Sequence, residues 1–439
     1  MASKQKTNAC LWVPRFWPAM GGTELHTREL AKVLSADHNV SVITHSTTSE
    51  VSGCPLEKDA SYTVACSYLD EKVRVERLSI NLLARSILQV LSNLHHQFKL
   101  IRLIYSGVFY FSLLRHSSFL AKNADVIHFI YNGLTDSAML AAAVAKRRNI
   151  PFVFTPNILD TSTQQHAWNS MRFKYLYKSA TRIIALTQFE ADWLESQNIS
   201  REKITVIPYG PILKGKPDAR RFRQKTDTGD TRIVLFLSRI VLLKGYDLLL
   251  EACSQVWLKH PETRIVFMGP ATPDAREAIL ASADPRILLI EEFDQGVKAD
   301  ALAACDLLCV PSRRESLGVV YIEAALNAKP VVALKLPVLQ EVIEDGKDGI
   351  LVEESPKCVA DAVVSLLDAP KMAVQMGQLG YIKSREKFNW QNAKSQISNV
   401  YSEVIDEHRN GTSVDNTNPW TAPACERSPR HHPLSSNKD

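Results

Sequence analysis

The sequence predicts an α/β chain built from two doubly wound parallel sheets that face each other across a cleft, and three observations carry that expectation. Short apolar runs bounded by turn residues alternate with amphipathic helical stretches along nearly the whole chain, the pattern of parallel strands covered by helices on both faces. The length of 439 residues exceeds the roughly 250–300 residues at which single cores stop growing. The alternation breaks once, at 208–229, where prolines, glycines, lysines and arginines show little apolar periodicity and read as an interdomain linker.

In the first half the candidate strands are 10–13, 40–44, 73–78, 126–129, 152–154, 183–185 and 205–207. In the second half they are 233–237, 265–268, 287–290, 307–310, 331–333 and 350–352, each followed by a helical pattern. The expected division is a first domain over 1–213, a second over 230–382, a helix over 383–407 and a tail over 408–439. The tail is rich in Asn, Ser, Thr, Pro and His and poor in aliphatics, which predicts disorder. Residues 1–8 carry two lysines but lead into only a short apolar piece, 9–13, expected to be a strand rather than a signal peptide. The eight cysteines show no metal-type pairing. Cys305 and Cys309 are four apart, unlike the two-residue spacing common in zinc sites, so the expectation is buried thiols in a reducing compartment.

Ligands of open parallel sheets bind outside the carboxyl ends of the strands. No G-x-G-x-x-G follows a strand and no G-x-x-x-x-G-K-[ST] is present, so dinucleotide redox chemistry and ATP hydrolysis are disfavoured. Three segments offer other ligand chemistry. Gly21 and Gly22 follow the opening strand and precede a helix, letting backbone amides approach an anion; the same residues also suit a tight turn with Thr23 as cap and Glu24 on the helix dipole. Ser238, Arg239 and Lys244 lie at the carboxyl end of strand 233–237. Two cations five positions apart suit a departing diphosphate, or are two solvated charges. Glu315 lies in the loop before a helix that contains Glu323, with Leu317 and Gly318 between. Carboxylates accept from paired sugar hydroxyls, although a helix-start acid and a surface glutamate would look alike.

Taken together, Gly21-Gly22-x-Glu24, Ser238-Arg239 with Lys244-Gly245, Glu315 spaced eight from Glu323, Pro330-Val331-Val332 and the segment 341–352 resemble the family-4 glycosyltransferases over about residues 8–407. The resemblance implies the GT-B fold, two Rossmann-like domains with a C-terminal helix crossing back to the first. It implies a retaining, metal-independent hexosyltransferase with a nucleoside-diphosphate sugar as co-substrate and no cofactor. Arg239 and Lys244 would hold the diphosphate, with Ser238 beside them and Gly21 and Gly22 approaching from the other domain. Glu315, helped by the backbone of Leu317 and Gly318, would hold the sugar, and Glu323 the ribose. The chain departs from the family in Ser316-Leu317 for Gly-Phe, in Asn327-Ala328-Lys329 before Pro330, and in Asn157 where a histidine is common. His128, at the end of another first-half strand, becomes the candidate reaction-centre histidine.

Composition is that of an ordinary globular protein, with 52 basic and 47 acidic residues and a net charge of +5. The surplus is localised. Arg77, Arg85, Lys99, Arg102, Arg115 and Lys122 fall in 77–123, which has no Asp or Glu, so the rest of the chain is nearly neutral. Leu83, Ile87, Val90, Leu91 and Leu94 recur there at helical spacing, and 103–114 is apolar but too short for the roughly 20 residues that span a bilayer. This stretch is either a set of core helices or a surface for anionic membrane, not nucleic acid. The expectation is a cytoplasmic enzyme of polysaccharide or glycoconjugate synthesis, peripheral on the inner face of the cytoplasmic membrane, with a glycan or lipid-linked acceptor. A non-catalytic nucleotide-sugar-binding scaffold is the alternative, and an epimerase is disfavoured by the missing dinucleotide fingerprint.

Overall fold

The computed structural model describes residues 6–19, 21–46, 65–94, 98–159 and 168–411. Eight strands form the first sheet: β1 (Asn8–Trp12), β2 (Asn39–Thr44), β3 (Cys66–Asp70), β4 (Val73–Arg77), β5 (Val126–Ile130), β6 (Phe152–Thr155), β7 (Arg182–Ala185) and β8 (Ile204–Val206). Their order is β3-β4-β2-β1-β5-β6-β7-β8. Six form the second: β9 (Ile233–Leu237), β10 (Arg264–Met268), β11 (Ile287–Ile290), β12 (Leu307–Cys309), β13 (Val331–Leu334) and β14 (Gly349–Val352), in the order β11-β10-β9-β12-β13-β14. Helices cover both sheets, so β9, with Ile233, Val234, Leu235 and Phe236 all at 0% exposure, reads as an unbroken apolar run rather than an alternating one.

Each sheet reverses direction once. The first winds outward from β1 through β2 and then restarts at β5 on the other side of β1; the second winds from β9 through β10 and restarts at β12. Between β1 and β5, and between β9 and β12, the connections diverge and leave a crevice at the carboxyl edge.

The structure departs from the sequence expectations in four places. β3 pairs antiparallel with β4, so the first sheet is mixed. Its residues Cys-Ser-Tyr-Leu-Asp are mostly exposed at the sheet edge and carry no apolar run. Part of the supposed linker is helical: Ala219–Thr226 is capped by the Asp218 side chain, and Arg221 anchors it to Asp300 of the helix Gln295–Ala304. The crossing to the first domain begins at Trp390, not at 383. Helix Pro370–Lys387 packs on the second domain, where Gly377 lies so close to Ala328 that a Cβ would meet its carbonyl oxygen at 2.0 Å. Helix Trp390–Arg409 then buries Ala393, Ile397, Val400, Tyr401, Val404 and Ile405 with the core under β1 and β2. Finally, the 103–114 piece is the middle of one helix, Lys99–Leu120. Met20, Cys54, Cys425 and residues 412–439 of the expected tail lie outside the described residues.

The two domains meet at an aromatic clamp on the linker. Tyr209 stacks on His26 of the first helix, Gly22–Leu34, at 5.3 Å between ring centroids, and on Trp390 at 6.1 Å. The Trp390 indole donates to the Pro211 carbonyl at 2.7 Å, and a side chain on Gly210 would strike the Trp390 ring.

Among the described residues, His26, His45 and His128 are deeply buried in the first domain and its junction. Burial lowers the pKa of His26 to about 4 and those of His45 and His128 to about 3. The unfolded chain takes up these protons near pH 6.5, whereas the folded chain resists them down to about pH 3–4. Stability is therefore intact above about pH 6.5 and falls as pH drops, each ring adding a slope of about 1.4 kcal/mol per pH unit. Glu190, which burial raises to about 7 from 4.5, acts in the opposite sense between those values and offsets one ring. Thermal midpoints should fall on acidification from neutral pH, and a midpoint independent of pH would contradict this.

Candidate active site

The loops that leave the two central strands carry most of the charged residues singled out in the sequence. After β9 the chain turns through Ser238 and Arg239, stitched to the end of β10 by Ser238 N–H on Met268 O (3.1 Å) and Ile240 N–H on Pro270 O (2.8 Å). Arg239 is exposed at the mouth of the crevice. A short 3-10 turn, Leu242–Lys244, then delivers Lys244, and Gly245 starts the helix Tyr246–Lys259 in a left-handed conformation, φ +74°. A Cβ on Gly245 would lie 1.9 Å from the Pro311 carbonyl oxygen. That is why only glycine fits: the β9 loop and the loop after β12 touch through backbone here.

The β12 loop returns the contact. Arg313 makes paired bonds to Asp247 at 2.8 and 2.7 Å, and its N–H bonds the Leu243 carbonyl at 2.9 Å, which fixes the two loops together. Glu315, 8% exposed, then meets Lys244 at 2.7 Å, and the Lys244 ammonium also reaches the Arg314 carbonyl at 3.4 Å. Leu317 is buried, and Gly318 caps the helix Val319–Leu326 with φ +76°. Thus Lys244 and Glu315 meet at the β9/β12 crevice, with Arg239 exposed earlier in the same β9 loop. Cations and a carboxylate together are the equipment for an anionic leaving group next to a hydroxylated one.

Glu323 is placed differently. It is buried on the linker side of the helix, with Oε1 accepting from Lys298 Nζ at 2.6 Å and from the Ile212 N–H at 3.0 Å, while Lys298 also donates to the Ile212 carbonyl at 3.1 Å. It ties the linker to the second domain in this structure. Across the cleft, Gly21 is the N-cap of the first helix and Gly22 its first residue, with no side-chain cap, so Thr23 does not fill that role. Glu24 is buried and accepts from Asn132, which follows β5, so the β1/β5 crevice is bridged by a carboxylate–amide pair at 3.1 Å.

His128 is corrected. It is the middle residue of β5 and 1% exposed, not at a strand end, because the strand runs on to Ile130. Its Nδ1 shares a hydrogen bond with the Tyr401 hydroxyl and its Nε2 one with the Thr155 hydroxyl, each 2.8 Å. Both nitrogens are committed to joining β5, β6 and the crossing helix, which leaves none for a reaction centre.

Sequence reasoning missed Lys298, Asn132 and Glu341. The Glu341 carboxylate, from the second domain, accepts the Gln188 N–H at 2.8 Å and the Phe189 N–H at 2.5 Å, capping the helix Gln188–Ser196 of the first. The motif 341–352 was visible, but its partner helix lies 152 residues away. Among the described residues no cluster of three His, Cys, Asp or Glu is arranged to hold a metal ion.

Comparison with known proteins agrees with this geometry. The family described as glycosyltransferase family 4 matches residues 20–211, and that of glycosyl transferases group 1 matches residues 218–383, together well over half of the chain. The chain belongs to the family-4 glycosyltransferases. Among curated relatives of this family-4 chain, D-inositol 3-phosphate glycosyltransferase 2 of Catenulispora acidiphila is 33% identical over 53% of the chain and 58% of that relative. D-inositol 3-phosphate glycosyltransferase of Segniliparus rotundus is 32% identical over 49% of the chain and 51% of that relative. The chain thus matches between half and three-fifths of their length. Two solved structures share its fold: sucrose-phosphate synthase from Thermosynechococcus elongatus and Anabaena HepE, the latter in complex with UDP and glucose. The first has a TM-score of 0.71 at 20% identity over 91% of this chain and 100% of that one. The second has 0.69 at 17% identity over 90% and 99%. The fold is GT-B.

Proposed function

We propose that this family-4 chain transfers a sugar, with retention of configuration and without a metal ion, from a nucleoside-diphosphate sugar to an acceptor hydroxyl. The observation that carries the reading is the Lys244–Glu315 pair at the β9/β12 crevice, 2.7 Å apart. As the bond from the anomeric carbon to the diphosphate breaks, charge grows on the leaving oxygen, and Arg239, Lys244 and the backbone amides at Gly21–Gly22 are the groups that would meet it. Glu315 and the backbone at Leu317 and Gly318 would fix the sugar hydroxyls. The acceptor hydroxyl attacks the face the diphosphate leaves, and a phosphate oxygen takes its proton. Glu323 binds the ribose in this reading only by sharing or releasing Lys298. A thermal-shift screen of nucleoside-diphosphate sugars tests it without an acceptor. Because HepE has been solved with UDP-glucose, uridine donors come first. A raised midpoint with at least one donor, lost in Lys244→Ala, is expected; no response to any donor favours the scaffold alternative.

The proposed setting is the surface of an anionic membrane on the cytoplasmic side, where a lipid-linked or glycan acceptor would reach the first domain. No helix among the described residues is long and apolar enough to cross a membrane. Support comes from the helix Leu82–Ser92, which buries Ala84 and Leu88 but turns most of its other apolar residues outward, with Leu83 76% and Val90 65% exposed. Phe111 and Leu103 of the neighbouring helix are exposed too, within the acid-free stretch. Only Leu91 of the expected stripe packs inward. Exposed aliphatic area with cations around it, each adding about 1 kcal/mol near an anionic surface, suits a headgroup boundary. Co-sedimentation with phosphatidylglycerol vesicles should exceed that with phosphatidylcholine and drop in Leu83→Asp/Val90→Asp; equal recovery on both vesicles contradicts the electrostatic part.

A further inference from the structure

The helices Lys99–Leu120 and Thr135–Arg148 end side by side, a few residues before β5 and β6 begin. Their ends are therefore at the amino edge of the first sheet, opposite the edge that carries Gly21. Between them is a cavity of about 320 Å³ lined by Arg115, Ser118, Phe119, Arg147 and Arg148. Among the described residues no carboxylate lines it, and the acid next along the chain, Asp125, is held by the N–H and side chain of Asn8. Arg148 is fixed by its Nε on the Ser118 carbonyl at 2.9 Å. Ser118 is 4% exposed, yet its hydroxyl has no hydrogen-bond partner among the described residues. Lys122 adds a further cation over the Phe119 ring, at 4.4 Å.

We infer that this cavity is a phosphate-binding site, separate from the donor cleft, for a terminal phosphate group that is either free in solution or carried by a lipid headgroup. Three guanidiniums converge where two helix carboxyl ends supply only about half a negative charge each, so the field in the cavity is positive by about two charges. Guanidinium forks match phosphate oxygens in pairs, and the buried Ser118 hydroxyl supplies a neutral donor. The site stands whether or not the cleft transfers sugar.

The test follows inorganic phosphate binding by calorimetry at fixed ionic strength in three proteins: wild type, Arg115→Gln/Arg147→Gln, and a charge-matched lysine control, Lys259→Gln/Lys371→Gln, on the second domain. Arg115 and Arg147 are exposed, so the arginine double variant should unfold at the wild-type temperature without phosphate. Wild type and the lysine control should bind alike, and the arginine double variant about tenfold or more weakly. Equal affinity in wild type and the arginine double variant, an equal loss in the lysine control, or no binding to wild type would each overturn the site. Vesicles containing phosphatidic acid, against vesicles with an equal fraction of phosphatidylglycerol, separate the sources. A preference for phosphatidic acid that disappears in the arginine double variant assigns a lipid phosphate. Phosphate binding with no such preference assigns a soluble one.

Discussion

Glu315→Gln should lower sugar transfer on the order of a hundred- to a thousandfold, the usual loss when one preorganised polar group leaves a reaction centre. The change keeps the shape and removes the carboxylate charge, so the ion pair to Lys244 at 2.7 Å weakens to a hydrogen bond from the ammonium to a neutral amide oxygen. Because Glu315 is assigned to the sugar and not to the nucleotide, the loss should fall mainly on kcat, with the affinity for nucleoside diphosphate kept. Lys244→Ala should lose a comparable factor and weaken nucleoside diphosphate binding as well. It also strands the Glu315 carboxylate, 8% exposed, without its cation, a change that costs about 3–5 kcal/mol in buried pairs and less here because the pair retains some water. Steady-state kinetics and thermal denaturation of the two variants and the double mutant separate these effects. Additive losses would mean that the pair does not act as a unit.

Gly245→Ala should be among the most damaging single methyl additions in the second domain, together with Gly269→Ala, whose Cβ would lie 1.7 Å from the Ser238 carbonyl oxygen. Two effects combine at Gly245: the left-handed φ of +74°, and a Cβ placed 1.9 Å from the Pro311 carbonyl oxygen. The first costs about 1 kcal/mol and the second forces the β9 and β12 loops apart, so a loss of several kcal/mol is expected. Those loops carry Lys244 and Glu315, so activity should fall together with stability. Gly215→Ala, also at positive φ but with nothing within 4 Å of the added carbon, isolates the conformational part and should leave transfer unchanged. If Gly245→Ala were as mild as Gly215→Ala, the close loop contact would be wrong.

Much of the fold was legible because buried parallel strands are nearly continuous apolar runs, as in β9 and β10. β3 was not, since an edge strand with exposed Ser67 and Leu69 needs no apolar period. The helix Ala219–Thr226 was hidden for a related reason: it buries only Phe222, and its stability comes from the Asp218 cap and the Arg221–Asp300 pair, neither of which shows as periodicity. In the site, Lys244 and Glu315 could be found because their spacing lies within short segments. Lys298 and Glu341 could not, since each meets its partner through the tertiary fold, and a lone lysine or glutamate on a helix carries no signal. His128 misled for the opposite reason. One residue of error in the end of β5 turned a core histidine, bonded on both nitrogens, into a strand-end candidate.

The division of labour in the cleft, cations for the diphosphate and Glu315 for the sugar, is tested most directly by calorimetric titration of nucleoside diphosphates and of their sugars into wild type, Lys244→Ala and Glu315→Ala. The account predicts that Lys244→Ala weakens both ligands, whereas Glu315→Ala binds the bare diphosphate as wild type does and loses only the increment contributed by the sugar. Equal binding of both ligands by all three proteins, or no binding by wild type, would contradict it.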